Sequence, residues 1–84
     1  MDFEYKSQEL NFLKLELQVI GIGVFRAAMP ECRWMIPKIS EALDELRQNF
    51  SEFIKENPVG DPEISHFSQL MQGVCDIFER IKRG

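Results

Sequence analysis

His66 is the only histidine in the chain, and it is the first residue to weigh for chemistry. On a helix beside Phe67 it could carry a phosphoryl group, but Leu70, one turn on, would crowd the imidazole. A solvated surface histidine is the simpler expectation. Carboxylates are more plentiful: Asp44 and Glu45, Glu52 and Glu56, Asp61 and Glu63. General acid–base catalysis needs two of them in a cleft with displaced pKa values. Their spacing instead puts them on the polar face of one helix or at the start of the next. Glu63 and His66 make a single Glu-x-x-His, whereas carboxylate-bridged metal sites in bundles need one on each of two helices, and the chain has no second histidine. Serines 7, 40, 51, 65 and 68 have no nucleophile-elbow setting, and no glycine-rich phosphate loop is present. Cys32 and Cys75 lie far apart with no CxxC, which suits neither zinc nor a disulfide framework. Cys75 sits beside a helical seam and reads as a small core residue, while Cys32 is the more accessible thiol. The expectation is a protein without a catalytic, cofactor or metal site, and not an enzyme.

Composition sets further bounds. The chain has 84 residues, a formal net charge of −4 and 44% hydrophobic residues. That is one domain, 1–84, with a real but thin core. Nucleic-acid binders carry a basic stripe that displaces phosphate counterions. Here the only basic cluster is Arg80, Lys82 and Arg83, which fits the last turn of a helix, where cations complement the dipole. The N-terminal Met1-Asp2-Phe3-Glu4 is acidic where a signal peptide would be basic. The longest apolar stretch, Val19 to Met29, is about half of the ~20 residues a membrane span needs, and Arg26 interrupts it. A cytoplasmic protein that binds neither membrane nor nucleic acid is expected.

Three amphipathic segments must position these residues. In the third, Asp61-Pro62-Glu63 reads as an N-cap, an N1 proline and an early acidic residue. Ile64, Phe67, Met71, Val74, Phe78 and Ile81 then alternate steps of three and four, a heptad seam that Leu70 and Ile77 widen. In the second, Ile36, Ile39, Leu43, Leu46, Phe50 and Phe53 step in the same way. Pro37 belongs in its first turn, and Asn57-Pro58 ends it. The first segment is ambiguous. Leu13, Leu15, Leu17 and Val19 alternate with polar residues like a strand, yet Leu10, Leu13, Leu17, Ile20, Val24 and Ala27 form a third seam. A lone strand would have nothing to pair with, so a helix is expected, with Ser7 as N-cap and Pro30 as stop. Gly21 and Gly23 each cost about 1 kcal/mol relative to alanine, and they would permit close backbone approach. The stretch from Met29 to Ile36 reads equally as loop, helical turn or kinked helix start.

The expected fold is all-α: a three-helix up-down-up bundle with helices over about 7–28, 37–56 and 62–83. On a helical wheel, Phe12, Leu15, Val19 and Ile22 fall opposite the first helix's seam. Either the other two helices straddle this helix and bury both faces, or the second face meets a partner. The simplest partner is another copy, giving a six-helix dimer. Trp34, in the linker, is expected to lid one end of the core; if exposed, it becomes an interface anchor. The candidate interface is therefore Phe12, Leu15, Val19, Ile22 and Trp34. The functional expectation is a non-enzymatic, protein-binding adaptor or regulator that forms a homodimer, its acidic surface suiting a partner with a basic one. One alternative is a bundle binding a small molecule or lipid in an apolar cavity lined by Met71, Phe50 or Trp34, possibly with enzymatic activity. A lesser one is an immunity- or inhibitor-type protein that neutralises a basic partner.

Overall fold

Nothing between residues 2 and 20 breaks a helix: there is no proline, no glycine and no run of β-branched residues. The computed structural model, which describes residues 2–56 and 62–84, accordingly has a first helix, α1, over Asp2–Ala27. It begins five residues before the expected start at residue 7, so Ser7 lies inside the helix rather than capping it. The strand-like alternation from Leu13 to Val19 is overridden by the heptad seam. At the far end α1 tightens, with i→i−3 bonds from the Ala28 N–H to the Phe25 carbonyl (3.3 Å) and from Met29 to Arg26 (3.0 Å). Pro30, which has no N–H to donate, then ends it.

The stretch left open by sequence is a 3₁₀ helix, Pro30–Met35. The Cys32 N–H donates to the Met29 carbonyl at 3.0 Å, and the Ile36 N–H closes the segment on the Arg33 carbonyl. It runs directly into α2, Ile36–Glu56, whose second residue is Pro37. There the missing N–H forfeits no helical hydrogen bond. Helix α3 spans Pro62–Arg83 and carries Arg80, Lys82 and Arg83 in its last turn. The expected stop at Asn57-Pro58 and the expected cap at Asp61 lie outside the described residues.

The core is the three expected seams brought together. Leu10, Leu13, Leu17, Ile20, Val24 and Ala27 of α1 are buried against Ile39, Leu43, Leu46, Phe50 and Phe53 of α2, and Ile64, Phe67 and Phe78 of α3. Phe67 and Leu46 are fully enclosed. The Phe50 and Phe67 rings meet with centroids 5.0 Å apart and planes tilted by 51°, an arrangement aromatic pairs favour. Helix α1 packs along both others, whereas α2 and α3 make few close backbone approaches and meet mainly through side chains.

That asymmetry explains a departure from expectation. Leu70 and Ile77 do not widen the buried stripe of α3; they are 50% and 44% exposed. Met71, Val74 and Ile81 of the same helix are only partly buried. The expected close approach at the α1 glycines is also absent. A Cβ on Gly23 would meet Ile39 Cδ1 at an ordinary 3.5 Å, and one on Gly21 would meet nothing within 4 Å.

Individual contacts relate the helix ends. Gly23 of α1 lies by Ile39 at the start of α2. Lys14 Nζ stands 4.0 Å from the Glu63 carboxylate at the start of α3. Arg33 Nη1, in the 3₁₀ segment, donates at 3.2 Å to the Ile81 carbonyl near the end of α3, which also accepts the Gly84 N–H at 3.1 Å. The molecule is elongated, 46 × 17 × 16 Å. Among the described residues no helix is long and apolar enough to cross a membrane.

Candidate functional site: the outward face of α1

A helix at the edge of a small bundle normally shows one apolar stripe and one polar face. Helix α1 shows two apolar stripes. Leu13 and Leu17 point into the core at 6% and 7% exposure, while Phe12, Leu15, Val19 and Ile22 stand 62%, 60%, 69% and 58% exposed. Residues two or three positions apart on one helix thus do opposite jobs. Helices α2 and α3 bury only the inner face of α1, so the expectation that they straddle it within one chain does not hold.

The outward stripe extends beyond the four residues picked out from sequence. Phe25 is 72% exposed and Met29 52%. Positions 12, 15, 19, 22, 26 and 29 step by three and four throughout, a second heptad seam with Arg26 as its one charged member. A shallow groove follows the stripe on the α2 side, floored by Leu15, Val19 and Ala42 and edged by Glu16 and Glu45. Nearer the start of α1, a second groove between α1 and α2 sets Phe12 among Glu9, Glu16, Glu52 and Glu56. Leu70 and Ile77 form a smaller exposed pair on α3.

Trp34 does not lid the core. It is 66% exposed, with Lys38 Nζ 5.9 Å from its ring centroid, a cation–π contact at the surface. The 3₁₀ segment contributes no buried residue, because its short, tight turns carry the chain across the end of α1 rather than into the core. Trp34 and the α1 stripe therefore share exposure but sit on different elements.

Among the described residues, the side chains capable of chemistry are not gathered into a site. His66 is exposed on α3, and Asp44, Glu45, Glu52 and Glu56 are exposed on α2. Among the described residues no group of three or more His, Cys, Asp or Glu is placed to hold a metal, and no buried side-chain nitrogen or oxygen lacks a partner. Cys32 and Cys75 are free thiols, both partly buried. Cys75 lies in a polar groove between α2 and α3 with Ser40, Arg47 and Lys82. Burial pushes its thiol above the usual range; Arg47 opposes this, and the carboxylates of Asp76, Glu79 and Asp44 add to it. A thiol held protonated is a poor nucleophile. Nor are Phe50 and Trp34 arranged around an apolar cavity: Phe50 is buried with its ring against Phe53 and Phe67, and Trp34 is at the surface.

Compared with known proteins, the chain matches no family model, no curated protein sequence and no solved structure.

Proposed function

We propose that the chain is a non-enzymatic protein-binding module that pairs with a second copy of itself through the outward face of α1, forming a six-helix dimer that serves as an adaptor or regulator. The observation that carries this reading is the exposure of Phe12, Leu15, Val19 and Ile22 at 58–69% on a single helical stripe. Scattered exposed apolar residues are ordinary, but a contiguous stripe on a small protein marks a surface that meets something. With Phe25 and Met29 the face presents six large apolar side chains, each more than half exposed. The heptad spacing is that of helices that pair side by side.

An up-down-up arrangement of each protomer accompanies the proposal. Gly23 beside Ile39, Lys14 beside Glu63 and Arg33 bonded to the Ile81 carbonyl all support it. A reducing compartment such as the cytoplasm suits the two free thiols. A second reading is favoured by the four glutamates around Phe12: that end of α1 suits an apolar segment flanked by lysine or arginine on a different protein, as an immunity-type inhibitor would require.

A dilution series followed by two-dimensional NMR tests the proposal. From high to low micromolar concentration, amide shifts should move along residues 12–29 and stay fixed on the polar face of α2. Shifts independent of concentration, in a protein tumbling as a monomer, would refute self-association.

A further inference from the structure

We infer that the two copies pair antiparallel, about a twofold axis that crosses α1 between Val19 and Ile22, with Arg26 of each copy entering the groove beside Glu16 and Glu45 of the other; this rests on the dimer proposed above. Two independent features point to it.

The first is the seam itself. Positions 12 and 29, 15 and 26, and 19 and 22 are equidistant from a point between residues 20 and 21. An antiparallel pair centred there sets Phe12 opposite Met29, Leu15 opposite Arg26 and Val19 opposite Ile22, so each of these six positions has a counterpart. Arg26 then falls at the groove floored by Leu15, Val19 and Ala42, whose edges carry the Glu16 and Glu45 carboxylates. Its methylene stem can lie on the apolar floor while the guanidinium meets the carboxylates. A parallel pair in register would instead stack Arg26 on Arg26 in the middle of an apolar seam. Like charges desolvated against one another are disfavoured.

The second feature is the charge along the bundle. The end holding α1 from Glu9 to Val19, α2 from Leu43 onward and the start of α3 carries Glu9, Glu16, Asp44, Glu45, Glu52, Glu56 and Glu63 against Lys14, Arg47 and Lys55. The opposite end carries Arg26, Arg33, Lys38, Arg80, Lys82 and Arg83 against Glu31, Glu41, Asp76 and Glu79. Antiparallel pairing lays the acidic end of one copy along the basic end of the other; parallel pairing lays like on like. The protomer's extent of 46 Å far exceeds the ~8 Å screening length at physiological salt, so each end responds to what lies directly beside it.

The test is Arg26→Gln in the otherwise native chain, followed by sedimentation equilibrium. Arg26 is exposed, so the fold is not at stake. Antiparallel pairing predicts a three- to tenfold weaker dimer; a tighter or unchanged dimer overturns the inference. A spin label at Gln8→Cys, in a Cys32→Ser/Cys75→Ala background, supplies the geometry. At 1.5 Å per residue the two labels should stand about 37 Å apart, whereas parallel helices 8–10 Å apart would keep them within about 20 Å. A short distance overturns the orientation alone. A monomeric wild-type protein removes the dimer itself, a separate failure that sedimentation reports directly.

Discussion

Leu15 and Leu17 offer the sharpest comparison in the molecule, because they have the same side chain two positions apart on one helix. Leu17 is 7% exposed and Leu15 is 60% exposed. Replacing Leu17 with alanine removes buried methyl groups and leaves a cavity, at a cost of about 2–5 kcal/mol. In an 84-residue domain each kilocalorie lowers Tm by roughly 4–8 °C, so the loss is at least about 8 °C. Leu15→Glu should leave the monomer within about 0.5 kcal/mol of the wild type, as surface substitutions do. Its effect appears on association. Burying a whole leucine contributes about 1.5–3 kcal/mol, so covering the exposed 60% contributes about 1–2 kcal/mol per copy. A twofold interface loses this twice, about 2–4 kcal/mol, and the new carboxylate must also be desolvated, so Kd rises at least about 30-fold. Urea unfolding at low micromolar protein reads the first quantity. Analytical ultracentrifugation reads the second. If Leu15→Glu destabilises the monomer as Leu17→Ala does, the outward face is not outward. If it leaves association untouched, that face is not the interface.

Other substitutions probe separate parts of the account. Gly21→Ala should stabilise the monomer by about 0.5–1 kcal/mol, since it removes a helix-interior glycine at a place where a Cβ meets nothing within 4 Å; a fall in Tm would contradict the open space there. Phe67→Ala should cost about 3–5 kcal/mol, because its fully buried ring packs on Phe50, and circular dichroism on heating will measure it. Cys75 should react with iodoacetamide more slowly than a free thiol at pH 8, as mass spectrometry of the alkylated peptide can show. Its raised pKa also fixes a sign: the folded state holds the proton that the unfolded state gives up first. Stability from this group is therefore full below the ordinary thiol pKa and declines as pH rises through the folded value. In Cys75→Ala that alkaline decline should be smaller.

The inner architecture was legible because it depends on period alone. Three seams at heptad spacing gave α1, α2 and α3, and all six members of the α1 seam are buried. Boundaries were less legible. Ser7 is a good N-cap by type, but nothing in residues 2–6 interrupts a helix, so α1 continues back to Asp2. Leu70 and Ile77 were misplaced for a reason of geometry: a flank is buried only where a neighbouring helix reaches, and α1 and α2 leave that side of α3 uncovered. Trp34 was misplaced for a similar reason, since a 3₁₀ turn across the end of α1 gives its indole no core to cover. The two-faced character of α1 could be seen on a helical wheel. The wheel could not show whether one chain suffices to cover both faces, because that depends on where α2 and α3 pack. Met29 could have been found from sequence by carrying the outward seam through Arg26, where the charge makes it look finished; Phe25 flanks that seam rather than belonging to it.

Sedimentation equilibrium of the unmodified chain at physiological salt tests the central claim most directly. One chain has a mass of 9.8 kDa. The account predicts a reversible equilibrium approaching twice that mass as concentration rises through the micromolar range. A mass that stays at 9.8 kDa up to several hundred micromolar would contradict it.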